Sequence, residues 1–453
     1  MTTTTMRLRF LPFALLFLAA PLGTPLAAQA GLRAGPMTGY SEMREAMVWL
    51  QTDAPAEVAI EYWDSAAPGR RYRTDTAFTL AATAFTARFP IGLLEPGRVY
   101  HYRPVIDGRP VDRPYPMRFV TQSLWQWRAD PPPFTVALGS CLYVNDPPYD
   151  RPGAPYGGEY EILQAIHDRR PDAMVWLGDN VYLREADWYS RSGILYRYGH
   201  TRALPHLQPL LAGAHHYAIW DDHDYGPNDS DRSFRDRADT HDAFRLFWGN
   251  PTYGMPGLPG ITTMFAWADV EFFLLDDRTH RTPNRRNTGD DALLGDDQLR
   301  WLVDALAASH APFRLVVVGG QVLNPSGEGE TWAAVAPDER DRLLRLLREE
   351  DIWGVMFLTG DRHFTELSRL DRPGTYPLYD LTVSPLTAGP YPTGRDEANP
   401  LRVQGTFHGA RNFATLAFSG PRTDRVMEIT VRDVQGREVW TWTIAASELR
   451  PRP

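Results

Sequence analysis

Ala173-Met174-Val175-Trp176-Leu177-Gly178-Asp179-Asn180-Val181-Tyr182 is a short apolar run that breaks at a glycine and continues into a carboxylate and a phenol. A run of this length bounded by a turn residue reads as a strand covered on both faces. Four more polar clusters begin where an apolar run ends: Gly139-Ser140-Cys141, Asp221-Asp222-His223-Asp224, Gly319-Gly320-Gln321-Val322-Leu323-Asn324 and Gly360-Asp361-Arg362-His363. The corresponding runs are Phe134 to Leu138, Tyr217 to Trp220, Leu315 to Val318 and Val355 to Leu358, with a further run at Phe272 to Leu275. Helix-length segments with apolar residues at three- and four-residue spacing lie between them, at Glu159 to Arg169, Ser233 to Trp248, Asp296 to Ala308 and Pro337 to Glu350. The alternation predicts an α/β body, and in open α/β sheets the loops beyond the carboxyl ends of the strands share one face. Five polar clusters can therefore converge on one site.

Outward from this core the pattern changes. From about residue 34 to 122 alternating runs such as Val58-Ala59-Ile60-Glu61-Tyr62 and turn-rich pieces predict a small β-sandwich, and Pro131-Pro132-Pro133 marks a stiff linker. Strand patterns return at Val426 to Val431 and Glu438 to Ile444. At the start, Arg7 and Arg9 precede an apolar run from Phe10 to Leu22, followed by Ala28-Gln29-Ala30, the pattern of a cleavable secretory signal. The expected organisation is a signal over residues 1–30, a sandwich and linker over 31–130 and a catalytic body over 131–453.

The chain of 453 residues is 43% hydrophobic and 23% charged, which excludes disordered and collagen-like classes. Its formal charge of −9 becomes −11 without Arg7 and Arg9, which argues against a stable nucleic-acid partner or a general anionic-membrane binder. No apolar stretch after the leader is long enough to span a bilayer, so no integral membrane association is expected. Cys141 stands alone, so no intramolecular disulfide forms.

The five clusters offer carboxylates, imidazoles, one phenol and one thiol, a donor mixture that suits an iron-type ion at the thiolate and phenolate and a harder ion at the carboxylates. Several close carboxylates need cations to offset their repulsion. An aspartate after a strand also commonly caps the next helix, and that ordinary reading holds for Asp179 or Asp361 taken singly. Taken together, Gly-Ser-Cys, Gly-Asp-x-x-Tyr, Trp-Asp-Asp-His-acid, Leu-Asp-x-Arg and Thr-Gly-Asp-x-His, in this order, resemble the alkaline phosphatase D (PhoD-like) family of metallophosphoesterases over roughly residues 40 to 445.

The resemblance implies a four-layer body of two β-sheets flanked by helices, preceded by an immunoglobulin- or fibronectin-like sandwich. It implies that Cys141, Asp179 and Tyr182 ligate Fe(III), that Asp179 bridges to a second site, that Asp222 and Asp361 hold Ca(II) or another divalent ion, and that His363 completes the cluster. His223 aligns with the histidine that contacts a phosphoryl oxygen or protonates the leaving group, and Arg278 matches a phosphate-clamping position. The implied activity is in-line attack of a metal-bound hydroxide on a phosphodiester or phosphomonoester, with a phospholipase-D-like diesterase as a variant. A degenerate, noncatalytic extracellular binding protein is the reading from another class. The chain departs from the pattern at Gly320-Gln321, where the family carries Asn-Gln, at Asn180 and at Asp224. Tyr253 to Phe265, in a Gly/Pro-rich loop, reads either as a lid for a lipid or sugar headgroup or as a segment packed under its own loop. Monoester or diester preference, export route and oligomeric state stay open at this stage.

Overall fold

The computed structural model describes residues 1–3 and 29–451, so nearly all of the expected signal segment lies outside the described residues. Two large sheets face each other. The first has nine strands and is built around the parallel trio Phe134–Gly139, Ala173–Leu177 and His215–Ile219, to which Asn412–Ser419, Val426–Asp433 and Glu438–Ala445 add antiparallel. The second has six strands, with Val270–Leu274, Phe313–Val317, Val355–Thr359 and Leu378–Thr382 parallel at its centre. Every residue of Ala173–Leu177, Phe313–Val317 and Val355–Thr359 is buried, as a strand covered on both faces requires.

Aromatic side chains join the two sheets. Tyr217 of the first stacks on Phe265 of the second at 3.6 Å between ring centroids, and Phe134 lies 6.3 Å from Trp267. Helices Asp296–Ala308 and Pro337–Glu349 have the bounds that their apolar spacing predicts, to within one residue, and bury Leu299, Leu302, Leu306, Leu343 and Leu347. The helix expected from Ser233 begins later, at Arg237–Phe247, because Asp231 accepts from Ser233 N and holds the preceding residues in a turn. The Tyr253–Phe265 segment packs under its own loop: the Tyr253 hydroxyl donates to Trp248 O at 2.5 Å, and Ile261 and Phe265 enter the core.

The N-terminal region is two-layered but not a freestanding sandwich. Strands Leu32–Ser41, Ala46–Thr52 and Thr86–Ile91 continue the nine-stranded sheet, with Thr38 opposite His215, while Ala56–Asp64 and Val99–Ile106 belong to a separate small sheet. All seven residues of Ala46–Thr52 are buried. Ala46, Val48 and Leu50 face a small core with Ile60, Tyr102 and Phe119, whereas Met47 and Trp49 enter the core of the body. Successive side chains point to opposite faces of a strand, so one strand serves two cores and no separate first layer exists. No helix among the described residues is long and apolar enough to cross a membrane.

Candidate metal centre

Three of the donor loops, those of Cys141, Asp179 and Asp361, leave their strands through a backbone conformation that side-chain-bearing residues rarely adopt. Cys141, Asp179, Asp361 and His363 have φ of 60°, 53°, 63° and 57°. Strain of this kind persists only where the surroundings over-determine it, and it gathers at functional sites. The loops also approach closely: a Cβ at Gly178 would lie 2.7 Å from the Asp221 Cβ, and one at Gly319 2.5 Å from Asp277 Oδ2. Asp224 ties the Asp179 loop in place by accepting from the amides of Asn180 at 3.1 Å, Val181 at 3.0 Å and Asp221 at 3.0 Å.

Three donor clusters form a continuous row. Cys141, Asp179 and His363 present ligand atoms within 4.8 Å of one another, as do Asp179, Asp222 and His223, and then Asp222, Asp229 and Glu330. Asp179 is common to the first two and Asp222 to the last two. Tyr182 reaches the first cluster through its hydroxyl, 3.2 Å from His363 Nε2, and its ring lies 4.3 Å from that of His223. His363 Nδ1 is 2.6 Å from Gly389 O, a contact that assigns the proton to Nδ1 and leaves the Nε2 lone pair facing the cluster. The Ser384 hydroxyl donates to Cys141 Sγ at 3.1 Å. No ring nitrogen of His223 makes a hydrogen bond among the described residues, while its backbone amide donates to Asp222 Oδ1 at 2.9 Å.

The Asp361 carbonyl oxygen lies 3.6 Å from Cys141 Sγ, and its carboxylate, outside the three clusters, feels the charges of Glu330 and Asp222. The Arg278 side chain is 1% exposed: Nε donates to Asp221 Oδ1 at 2.7 Å, Nη2 to Asp221 and Glu330, and Nη1 to Ser230 O at 3.3 Å. Four of its five N–H donors thus brace the floor of the site. Arg362 is likewise spent on Glu328 O and Glu397. Gln321 bonds Glu366 and Thr382 at 2.9 Å each, away from the three clusters.

Asp229, Glu330 and Tyr156 escape sequence reasoning. The first two sit in loops without a recognisable motif, and the Tyr156 hydroxyl lies 3.1 Å from His363 Nδ1.

Burial dominates the electrostatics. It pushes the Cys141 thiol up to about 12 against the opposing pull of the Ser140 and Ser384 hydroxyls. Asp179 is raised well above the carboxylate range by burial and then by Asp222 and Cys141, and Tyr182 is raised by burial and Asp179. Asp361 is pushed up to about 7 by burial and Glu330, while burial lowers His223 and His363. Carboxylates crowded out of water in this way repel one another, and either protons or metal cations offset that repulsion. Carboxylates, imidazoles, a phenol and a thiol with converging lone pairs fit a multinuclear metal centre.

Two facing sheets with donor loops beyond their strand ends define the architecture of the metallophosphoesterases. A solved structure of PhoD superposes with a TM-score of 0.76 at 16% identity, covering 94% of this chain and 93% of that one. The purple acid phosphatase PPD1 of yellow lupin (Lupinus luteus) superposes at 0.63 and 12% identity, covering 90% and 74%. The family model for PhoD-like phosphatase matches residues 140–420, and a second model, for a domain of unknown function, matches residues 29–124. The chain belongs to the PhoD-like phosphatase family. Alkaline phosphatase D of Bacillus subtilis (strain 168) is 23% identical over 328 residues, 61% of this chain and 53% of that protein, so the match spans about half the length of this curated relative.

Proposed function

We propose that the protein is a secreted, metal-dependent phosphoesterase that hydrolyses phosphodiesters, phosphomonoesters or both. The observation that carries the reading is the row of three donor clusters joined through Asp179 and Asp222, with the unbonded imidazole of His223 beside it. Cys141, Asp179, Tyr182 and His363 would hold an iron-type ion, and Asp179, Asp222, Asp229 and Glu330 harder divalent ions of the calcium kind. Such cations lower the pKa of bound water, orient a phosphoryl group and neutralise its equatorial oxygens.

The chain's own residues do the rest. The Ser140 and Ser384 hydroxyls favour the thiolate of Cys141, and the Gly389 carbonyl fixes the His363 tautomer. His223, held neutral by burial, presents a free ring nitrogen for a hydrogen bond to a phosphoryl or leaving-group oxygen. Arg278 keeps Asp221 and Glu330 in place. Its buried ion pairs make it a positioning residue.

The test is the initial rate of purified protein on a chromogenic phosphodiester and the matching monoester at mildly alkaline pH, with calcium supplied and iron content recorded. Turnover that disappears on strong chelation is expected. Protein shown to contain its metals yet inactive on both esters would point to the binding-protein reading instead.

A further inference from the structure

At the opposite end of the strands from the metal centre lies a second cavity of about 390 Å³, bounded by the small N-terminal sheet on one side and the body on the other. Four basic side chains line it, and no acidic one does: His101 and Arg118 from the small sheet, His167 and Arg170 from the end of helix Glu161–Asp168 and the turn that follows. Pro116, Pro171, Leu210 and Ala214 supply apolar walls. In a chain with 56 acidic and 47 basic residues, such a one-sided lining is not what a random surface provides.

The arrangement is built by the fold. His101 and Arg118 are directly opposite each other on antiparallel strands, so their side chains share a face. His167 and Arg170 are joined through the Arg170 N–H to His167 O bond of 2.9 Å. Among the described residues neither Arg118 nor Arg170 forms an ion pair, and none of the four side chains bonds another side chain, the His167 ring bonding the backbone of Pro209. The nearby acids are turned elsewhere: Asp172 accepts from Thr135 N at 2.8 Å and Asp168 from Gln164 Nε2 at 2.8 Å. The charges of Arg118 and Arg170 both help to lower the proton affinity of His167, though burial contributes more and Asp168 opposes them. Two guanidinia without an ion-pair partner on a concave, otherwise apolar wall are the complement of an oxyanion.

We propose that this cavity is a second anion site, distinct from the metal centre, for a small molecule carrying a phosphate-type dianion. The two guanidinia and two imidazoles take the dianionic head, and the proline, leucine and alanine walls accommodate a compact organic body. An occupant touches both the small sheet and the body and therefore ties them together.

Inorganic phosphate and phenylphosphonate carry the same kind of head without and with an apolar body, and they are the probes. Equilibrium dialysis of the metal-loaded full chain is expected to find two sites for each probe. Arg118→Gln/Arg170→Gln is expected to retain one. Arg170→Gln alone, at an exposed turn where folding is not at risk, is expected to weaken the second site at least tenfold. Asp179→Asn, which alters only the metal centre, is expected to keep the second site. Equal site numbers and affinities in wild type and both arginine variants would overturn the proposal. At the confirmed site, the ratio of the two affinities separates free phosphate from an organic phosphate as the natural occupant.

Discussion

His215 makes the stability of the junction between the N-terminal strands and the body depend on pH. Its Nδ1 lies 2.7 Å from Gly39 O, and its Nε2 accepts from Val120 N at 3.1 Å, so the buried ring is held as the neutral tautomer with the proton on Nδ1. Burial lowers its pKa from an ordinary 6.5 to about 4. A proton added at Nε2 would point at the Val120 N–H and find no acceptor. The folded state thus binds this proton more weakly than the unfolded chain does. The stabilisation is fully present above about pH 6.5 and is lost as pH falls towards about 4, reaching about 3 kcal/mol in all and about 2 kcal/mol by pH 5. The assay is urea unfolding at several pH values between 7 and 4.5, for wild type and His215→Gln. His216, also lowered by burial, and any acid release of metals act on both proteins and cancel in the difference. The wild type should lose about 2 kcal/mol relative to the variant between pH 7 and pH 5. Parallel profiles for the two proteins would refute the reasoning.

Asp179→Asn, at the residue common to two clusters, is expected to abolish turnover while circular dichroism stays native; activity within twofold of wild type would count against the site. Cys141→Ser should lower iron content and bleach any thiolate charge-transfer absorption, and an unchanged spectrum and metal content would exclude the thiol as a ligand. Arg278→Met leaves Asp221 buried without its guanidinium and Glu330 with Arg281 alone, which costs about 3–5 kcal/mol in urea unfolding, whereas Arg300→Met, at an exposed pair, should cost under about 1 kcal/mol. Chelation should lower the melting temperature of the wild type, because the acids of the site lose their counter-charge, and should change that of Asp179→Asn much less.

What could be read in advance followed from how much of the physics is local. Ala173–Leu177 and Val355–Thr359 are short apolar runs stopped by glycine, so both the strands and the loops carrying Asp179 and Asp361 were visible. Helix Arg191–Arg202 was not, because its buried side includes Arg197, whose charge is met by Asp146 and Asp187 rather than hidden by apolar spacing. The run Ala46–Thr52 shows that both faces are covered but not by what, so its double allegiance was invisible. Spacing also does not reveal that Arg278 pairs with Asp221 and Glu330. Glu330 meets Asp222 only through long-range folding, which no local pattern encodes, and Asp229 meets it through a turn whose amide bonds Asp222 Oδ2 at 2.7 Å.

The strand shared by two cores also bears on how this molecule can be dissected. A cut near residue 130 does not release an accessory module and leave a self-sufficient body. It would instead strip Leu32–Ser41 from His215–Ile219, the strand that leads directly into Asp221 and Asp222. That strand would become a raw sheet edge, open to pairing with another chain, and Trp49 would leave a void against Phe247. Strands Leu32–Ser41, Ala46–Thr52 and Thr86–Ile91 are thus the outer wall of the candidate metal centre's own foundation, and the body is not portable without them.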